Sequence, residues 1–307
     1  MSDNQKMLIT GALGFIGKSL SKELKKRGYE VFGCDLYHSC DPNYFRCDIG
    51  KYRQIAKIFE KQRFDYVYNL AAEFGRWNGE DFYENLWLTN VIGTKNIIRL
   101  QEKYHFRLIH SSSSEVYGDY NEIMSEDVMD KYEIKQLNDY AMTKWVNEMQ
   151  ILNSASQFNT ETVRVRLFNF YGPGEYYSQY RSALCRFVYC ALNKTPFVVY
   201  KGHTRSWLFI EDACKTLANI VGNFKAGEVY NIASSESVSI EDLVELILKK
   251  ANASENLATR KDKEPFTTAF KKVDISKAKK ELNHNPQTSL EEGIEKTINW
   301  MKEIYKL

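Results

Sequence analysis

The chain has 307 residues, of which 43% are hydrophobic and 27% are charged, so it is long enough to bury one large core or two coupled ones. Its 42 basic and 40 acidic side chains are spread along the sequence and leave a formal net charge of +2, which excludes a global electrostatic field for nucleic acid or a membrane surface. The polar N-terminus lacks the apolar core of a signal peptide, and no apolar run is long enough to cross a bilayer.

The first elements form a strand–helix–strand unit. KMLIT predicts a strand, FIGKSLSKELKKRG has helical periodicity and stops at Gly28, and YEVFGCD predicts a second strand. The alternation continues with a helix over YRQIAKIFEKQR, a strand in FDYVYNLAA, a helix from about Asp81 to Tyr104 and a strand in FRLIHS. Continuous apolar strands between amphipathic helices predict an α/β fold with a parallel sheet covered on both faces.

The second half of the chain is less regular. TETVRVRLFNFYG predicts a strand that leads into a loop, and EVYNIA predicts a later strand. Three further segments have helical periodicity: SALCRFVYCALN, IEDACKTLANIVG and SIEDLVELILKKA. A last helix over SLEEGIEKTINWMKEIY opens with Ser289 and Glu292 at capping-box spacing.

A glycine-rich turn, GALGFIG, follows the first strand. Its residues that we predict to bind a cofactor are Gly11, Gly14, Phe15, Ile16 and Gly17. Glycines at this place permit a tight turn and let the backbone approach a pyrophosphate, which the positive end of the next helix attracts. The spacing is G-x-x-G-x-x-G rather than the commoner G-x-G-x-x-G, but its position after the first strand predicts a dinucleotide site.

Asp35 ends the second predicted strand. A carboxylate there accepts hydrogen bonds from both hydroxyls of an adenosine ribose and repels a 2′-phosphate. Lys18 follows the last glycine of the turn, but no arginine follows Asp35 directly. The sequence therefore predicts NAD rather than NADP as the cofactor.

Tyr140 and Lys144, in YAMTK, stand four residues apart, so they share one face of a helix. A free tyrosine has a pKa of about 10, so a tyrosine base at neutral pH needs roughly 4 kcal/mol of stabilisation of its phenolate. The ammonium of Lys144 and a positive nicotinamide ring supply this in a water-poor site. Lys144 can also bind the ribose hydroxyls of the nicotinamide, so one residue would both tune the base and position the cofactor. Y-x-x-x-K also occurs as a plain surface pair, but its place after a serine-rich strand end favours catalysis.

Several motifs together resemble the extended short-chain dehydrogenase/reductase family, and within it the NAD-dependent epimerases and dehydratases of nucleotide sugars. They are GALGFIG, CD at 34–35, CDI at 47–49, NLAA at 69–72, SSSSEVYG at 111–118, YAMTK at 140–144 and RLFNFYGPG at 166–174. The resemblance implies a Rossmann-type doubly wound parallel sheet that binds NAD over residues 1–170, with some later segments returning to it. It also implies a smaller α/β nucleotide-sugar-binding domain over residues 171–307.

The resemblance further implies roles for single residues. Those that would lie along the cofactor are Asp48 and Ile49 beside the adenine, Ala71, Ala72, and Asn90 as a brace for the active-site helix. Those that would bind substrate are Asn169 near the sugar phosphate, Arg205 on the pyrophosphate of the nucleotide, and, as further candidates, Tyr177, Arg181 and Arg260.

The run SSSSEVYG supplies the remaining catalytic candidates. The resemblance places the catalytic hydroxyl at Ser113, which would bind the C4 oxygen of the sugar and pass its proton toward the tyrosine. Ser111 and Ser112 are then left to satisfy backbone groups at the strand end. Ser114 and Glu115 occupy the positions that determine the second step of the reaction, after oxidation.

The reaction after C4 oxidation stays open at this point. A C4 dehydrogenase or 4,6-dehydratase of a UDP-, GDP-, CDP- or dTDP-linked hexose or heptose is the favoured interpretation, and a 4-epimerase or UDP-glucuronate-type decarboxylase is the alternative. For decarboxylation we would expect an arginine where the chain has Lys271 and Lys272. A non-catalytic NAD-binding regulatory protein is an alternative of another class.

The cysteines indicate the cellular compartment of the protein, and two of the helices indicate how it would assemble. Six cysteines without a C-x-x-C pair predict free thiols in a reducing cytoplasm and no metal site. The resemblance implies a homodimer or a higher homo-oligomer, in which helices near 82–104 and 139–157 of two subunits form a four-helix bundle. Neither nucleic acid nor a membrane is an expected partner.

The preference for NAD can be tested by titration of the protein with both cofactors. We expect NAD to bind more tightly than NADP, because the Asp35 carboxylate repels a 2′-phosphate. Tighter binding of NADP would contradict the role assigned to Asp35.

Overall fold

A computed structural model describes residues 5–262 and 264–307 of the chain. The strands are β1 Lys6–Thr10, β2 Glu30–Asp35, β3 Tyr44–Arg46, β4 Tyr66–Asn69, β5 Arg107–Ser113, β6 Thr162–Leu167, β7 Asn169–Tyr171, β8 Phe197–Tyr200, β9 Thr204–Phe209, β10 Val229–Ile232, β11 Ser237–Ser239 and β12 Ala258–Lys261. The α-helices are α1 Phe15–Lys26, α2 Tyr52–Lys61, α3 Arg76–Asp81, α4 Tyr83–Trp87, α5 Gly93–Tyr104, α6 Val128–Lys131, α7 Asp139–Phe158, α8 Ala183–Leu192, α9 Ile210–Gly222, α10 Ile240–Ala251, α11 Ser276–Leu282 and α12 Leu290–Tyr305.

A seven-stranded sheet of order β10-β6-β5-β4-β1-β2-β3 forms the centre of the fold. β1 pairs in parallel with β2 and with β4, and β4 pairs in parallel with β5. The order of β1 to β6 is that of a doubly wound sheet, in which ligands bind beyond the carboxyl ends of the strands. The predicted Rossmann-type α/β fold is confirmed, and the glycine turn, Asp35 and the serine run all lie at strand ends on one edge of this sheet.

The described chain folds into two compact units. The first contains residues up to 116, 138–166 and 214–230, and the second contains 117–137, 167–213 and 231–307. Residues 214–230 thus return to the first unit, and 117–137 belong to the second. The assignment of NAD binding to 1–170 and of sugar binding to 171–307 stays a prediction.

Each unit has a core of its own. In the first, Phe59 stacks on Phe106 with ring centroids 5.1 Å apart, within a cluster of buried residues from β1, β2, α2, β4 and α5. In the second, α8, α10 and α12 pack buried side chains such as Phe187, Ile247 and Ile298 against one another. Ser289 caps α12 by accepting a hydrogen bond from the Glu292 N–H, as the capping-box spacing predicted.

The predicted helical stretch from about Asp81 to Tyr104 is confirmed, but it is not one continuous α-helix. Helical structure begins earlier, at Arg76, and breaks at Phe82, whose φ of −130° is not helical. It continues through α4, a π-helical turn over Leu88–Ile92 and α5. Hydrophobic periodicity identifies a helical stretch, but it does not identify a single residue that interrupts the helix or the extra residue of a π turn.

A buried ion cluster joins α7 to β5 and β6. The carboxylate of Glu148 is fully buried and accepts hydrogen bonds from Arg166 Nε and Nη2, both at 3.0 Å, and from Arg164 Nη1 at 3.1 Å. It also accepts one from the hydroxyl of Ser112. Burial by itself would raise the pKa of this carboxyl, but the two arginines and the hydroxyl lower the pKa below its usual value. The cluster therefore contains an ionised glutamate, and it fixes the helix that carries Tyr140 against the strand that carries the serine run.

Glu148→Gln tests how much this ion cluster contributes to the stability of the fold. The variant removes the negative charge that lies between two buried guanidinium groups, so we expect a loss of about 3–5 kcal/mol in the free energy of unfolding, measured by urea denaturation. The control is Glu161→Gln, which removes a surface ion pair with Arg107 and should cost no more than about 1 kcal/mol. Equal losses in the two variants would contradict the importance of the cluster.

Candidate active site

The turn after β1 has little room for side chains at its three glycines. Gly11 has a φ of +69°, and a Cβ there would lie 2.9 Å from the backbone of Ala71. A Cβ on Gly17 would lie 2.2 Å from the Gly11 oxygen, and one on Gly14 would lie 3.1 Å from it. The turn leads directly into α1, of which Phe15 and Ile16 are the first residues. This bare backbone at a helix N-terminus fits the pyrophosphate of NAD.

Asp35 lies beside the glycine turn. Its Oδ2 accepts a hydrogen bond from the Leu13 N–H at 2.9 Å, and its Oδ1 accepts one from the Leu36 N–H at 2.7 Å. The carboxylate is thus held in one orientation at the end of β2, and each oxygen keeps a lone pair for a further donor. This arrangement fits ribose hydroxyls and supports the prediction of NAD.

The other residues predicted beside the cofactor line the neighbouring strand ends. Asp48 accepts a hydrogen bond from the Gly50 N–H at 2.8 Å, and Ile49 is buried in the core, where Ala71 packs against the same cluster. Ala71 and Ala72 are half-buried. The hydroxyl of Thr10, which the sequence analysis did not single out, accepts hydrogen bonds from the N–H groups of Leu70 and Ala71 at 3.1 Å, and so fixes the backbone at the end of β4.

Asn90 lies in the π-helical turn and is buried. Its Oδ1 accepts a hydrogen bond from the Glu73 N–H at 2.9 Å, and its Nδ2 donates to the Glu73 carbonyl at 3.0 Å and to Thr143 Oγ1 at 3.1 Å. Thr143 lies on α7 and donates to the Tyr140 carbonyl at 2.8 Å. The expected brace between Asn90 and the helix of Tyr140 is therefore present as a chain of hydrogen bonds, while contact of Asn90 with the cofactor stays a prediction.

Tyr140 and Ser113 come together in the first unit. The Ser113 hydroxyl and the charge of Glu115 both act on the Tyr140 phenol. Burial is the main cause that raises the pKa of Tyr140, Glu115 also raises it and the Ser113 hydroxyl lowers it, and together they raise this pKa to about 12. The protein by itself therefore keeps this phenol protonated at neutral pH.

Lys144 lies one helical turn from Tyr140 and is buried. Its Nζ donates a hydrogen bond to the Ser111 carbonyl at 2.9 Å and lies 5.8 Å from the centre of the Tyr140 ring. Burial lowers the pKa of Lys144 to about 8, so the side chain is mostly protonated at pH 7. The predicted pairing of tyrosine and lysine on one face of a helix is present.

The four serines have different partners. Ser111 donates to the Asn69 carbonyl at 2.9 Å, as expected of a serine that satisfies the backbone. The same expectation for Ser112 is wrong, because its hydroxyl donates to the Glu148 carboxylate. Ser114 is buried at the start of a 3₁₀ turn over Ser114–Tyr117. The partner of Ser112 lies 36 residues away in the sequence, so local spacing does not reveal it.

Asn138, which the sequence analysis missed, connects Glu115 with α7. Its Oδ1 accepts a hydrogen bond from the Ala141 N–H at 2.8 Å and caps the helix, and its Nδ2 donates to Glu115 Oε2 at 3.3 Å. The signal for the cap was available, because asparagine is a preferred residue directly before a helix. The contact with Glu115 depends on tertiary structure.

The residues predicted to bind substrate lie in the second unit. Asn169 begins β7, which pairs in parallel with β9, and its Nδ2 donates to the Ser206 carbonyl at 3.2 Å. Arg205, on β9, donates to the carbonyls of Thr204 and Ala269 and to Thr267 Oγ1 at 2.8–3.0 Å. Arg260 is exposed on β12, which pairs with β8 in a separate sheet. Asn169 and Arg205 are thus brought to adjacent strands, and Arg260 is not.

The loop before α8 is held by aromatic and polar contacts. The ring of Tyr177 stacks on Tyr189 with centroids 3.8 Å apart, and the Tyr177 N–H donates to the hydroxyl of Tyr305. Glu175 is buried, accepts from the Ser182 N–H and hydroxyl, and lies near the charge of Arg181. These contacts give Tyr177 a packing role. Binding of substrate by Tyr177 and Arg181 stays a prediction.

Membrane spans and metal clusters are not found in the described part of the chain. No helix within 5–262 and 264–307 is both long enough and apolar enough to span a membrane. Over the same residues, no group of three or more His, Cys, Asp or Glu side chains is arranged to hold a metal ion.

The chain is similar to a known family of enzymes. The profile of the NAD-dependent epimerase/dehydratase family matches residues 7–233. The UDP-N-acetyl-α-D-glucosaminuronate decarboxylase of Bacillus cytotoxicus is 30% identical, with 98% of each chain covered. The dTDP-glucose 4,6-dehydratase of Salmonella typhimurium is 26% identical, covering 96% of this chain and 92% of its own.

A solved structure agrees with this assignment. UDP-glucuronic acid 4-epimerase from Bacillus cereus, crystallised with UDP-glucuronic acid and NAD, has a TM-score of 0.88 at 26% identity, covering 98% of this chain and 100% of its own. The three relatives are named for three different reactions, so similarity does not select one of them. The predicted enzyme class and the NAD cofactor are confirmed. Since the family profile covers most of the chain and the fold agrees over nearly all of it, the chain belongs to the NAD-dependent epimerase/dehydratase family.

Proposed function

We propose that the protein oxidises C4 of a nucleotide-activated hexose or heptose to a 4-keto sugar, as a C4 dehydrogenase or a 4,6-dehydratase. The observation that carries the proposal is the convergence of the Tyr140 phenol, the Ser113 hydroxyl and the Lys144 ammonium at one end of β5 and α7. A phenol, an alcohol and a cation suffice for proton removal from a sugar hydroxyl. NAD, when bound, supplies the oxidised nicotinamide that accepts the hydride.

Each of the three side chains has a separate task in this proposal. Tyr140 takes the proton of the C4 hydroxyl, and Ser113 orients that hydroxyl and passes its proton to the phenol. Because the pKa of Tyr140 is about 12 in the protein alone, positive charge must approach the phenol before it can act as a base near neutral pH. The positive nicotinamide ring supplies that charge and adds to the charge of Lys144, which is mostly protonated at pH 7.

Glu115 supports a further step after oxidation. A 4-keto group acidifies the C5–H bond, and a carboxylate close to Tyr140 can carry a proton to or from C5. With Ser114, it takes the place of the acid and base pair that removes water across C5 and C6 in a dehydratase. The site then has a general base for oxidation and a separate proton carrier for the second step.

Decarboxylation of a nucleotide-linked uronic acid is a second candidate. It is favoured by the 30% identity with the glucosaminuronate decarboxylase. Oxidation at C4 would convert the C5 carboxylate into that of a β-keto acid, which loses carbon dioxide readily and then takes up a proton at C5. Lys271, buried in the second unit, stands where we would expect an arginine for this reaction.

We further propose that Asn169 and Arg205 bind the phosphates of the nucleotide. Their positions on adjacent strands and the buried guanidinium of Arg205 support this, because arginine binds phosphate in a bidentate manner. The bonds from the guanidinium to two carbonyls and one hydroxyl hold the side chain in a fixed orientation.

We also propose a homodimer. Met142, Met149 and Leu152 are exposed on α7, and Ile92 is exposed at the end of the π-helical turn. Their spacing on α7 places the three side chains along one side of the helix. An exposed apolar stripe of this kind supports contact with a second copy.

Incubation with a panel of UDP-, GDP-, CDP- and dTDP-sugars and NAD, followed by mass spectrometry, tests the reaction. Loss of about 2 Da indicates a released ketone, about 18 Da dehydration and about 44 Da decarboxylation. We expect Tyr140→Phe to lower turnover at least about 100-fold without loss of NAD binding, because it removes the base but not the ring.

The control for that variant is Tyr132→Phe, at an exposed tyrosine, which should retain full activity. Undiminished activity of Tyr140→Phe would contradict the proposed base. Absence of NADH and of any product with every sugar would contradict C4 oxidation itself.

Met149→Lys tests the dimer. A charge in the apolar stripe should convert the protein into a monomer, as measured by size-exclusion chromatography with light scattering, because an unpaired ammonium is costly to bury. Ile304→Lys, at an exposed apolar residue of α12, should leave the mass unchanged. A wild-type protein that is monomeric at micromolar concentration would refute the proposal.

A further inference from the structure

Asn138 holds two parts of the active site with one amide group. Its oxygen caps α7 through the Ala141 N–H, and its nitrogen donates to the Glu115 carboxylate at 3.3 Å. The side chain is only 3% exposed, so its amide is enclosed by protein. The helix that carries Tyr140 is therefore connected to the carboxylate at the end of β5 through a single buried side chain.

Glu115 is close to the reacting groups. Its N–H donates to Ser113 Oγ at 3.2 Å, and its charge acts on the Tyr140 phenol. A glutamate side chain has three rotatable bonds, so without a partner it loses entropy each time it reaches a single productive position. A bond from a buried amide restricts the carboxylate before substrate arrives.

We propose that Asn138 is a positioning residue for Glu115 in the step after C4 oxidation. It holds the carboxylate where the carboxylate exchanges one proton with C5 of the 4-keto sugar. In dehydration the C5–H bond breaks and Glu115 receives the proton, the electron pair forms the C5–C6 double bond, and the C6 hydroxyl takes the proton from Glu115 and leaves as water. In decarboxylation the C5–C6 bond breaks, carbon dioxide leaves, and Glu115 in its protonated form delivers its proton to C5.

This inference rests on the proposed function and concerns only its second step. C4 oxidation uses Tyr140, Ser113 and Lys144, whereas the amide of Asn138 bonds to the Ala141 N–H and to the Glu115 carboxylate. Loss of the amide donor should therefore slow the second step and leave C4 oxidation nearly unchanged. A purely structural role in capping α7 would instead slow both steps together, because Tyr140 lies in the first turn of that helix.

Two substitutions separate the cap from the contact with Glu115. Asn138→Ser keeps an oxygen that can cap the helix but removes the amide donor, and serine is as good a cap as asparagine. Asn138→Asp also keeps the cap but places a carboxylate opposite Glu115. Asn138→Ala removes both functions and shows what loss of the cap costs. Thermal melting of all three establishes that the serine and aspartate variants are folded.

The readouts are NADH formation in a single turnover, measured by absorbance, and the yield of final product, measured by mass spectrometry. For Asn138→Ser we expect NADH formation within about twofold of wild type, and final product formation reduced roughly 10- to 100-fold, with the 4-keto sugar accumulating. Asn138→Asp should show a larger loss. In a Glu115→Gln background, Asn138→Ser should cause no additional loss.

Four results would overturn the inference. Wild-type product formation by Asn138→Ser would show that the amide donor is not needed. A parallel loss of NADH formation and product would show that Asn138 acts on α7 and not on Glu115. A wild-type enzyme that forms NADH and releases the 4-keto sugar as its only product would show that no second step exists, whereas a wild-type enzyme that forms no NADH with any nucleotide sugar would refute the proposed function as well.

Discussion

The ionised carboxylate of Glu148, buried between two arginines, is the interaction on which the geometry of the site depends. Taking three charges out of water is costly, and the cost is offset only when each charge has partners in good geometry. Glu148 has four such bonds, one of them to Ser112. Because Ser112 lies between Ser111, whose carbonyl accepts a hydrogen bond from Lys144, and Ser113, whose hydroxyl acts on the Tyr140 phenol, the same cluster sets the distance between the catalytic helix and the serine run.

The site combines this rigid frame with an environment that is unfavourable to charge on Tyr140 and on Lys144. Burial raises the pKa of Tyr140 and lowers the pKa of Lys144, so each group is driven toward its neutral form. The phenol therefore becomes a base only when positive charge enters the same enclosed space. Proton removal therefore requires the complete site, with cofactor bound. The carboxylate of Glu115 also raises the pKa of Tyr140 and so opposes ionisation of the phenol.

Sequence reasoning succeeded where the signal is local. Three features depend on backbone geometry within a few residues: the glycine turn, Asp35 at a strand end, and the four-residue spacing of Tyr140 and Lys144. The structure has each of them at the predicted strand end or helix. It failed where the partner is distant, as for Ser112 and Glu148, or where an element is short and paired at an edge, as for β11 and β12. The two arginines of β6 were a signal that went unused, since they alternate along a buried strand and require a carboxylate.

The π-helical turn at Leu88–Ile92 has a consequence for how this chain can vary in length. It holds one residue more than an α-helical turn would, and Asn90 occupies it while bonded to both Glu73 and Thr143. Removing a residue here would rotate α5 by roughly 100° relative to α4, because each residue advances an α-helix by that angle. Either the buried face of α5 would then turn away from the core, or the amide of Asn90 would lose its hydrogen bonds. Insertions and deletions should therefore be tolerated far better in the surface loops of this chain than in this helix.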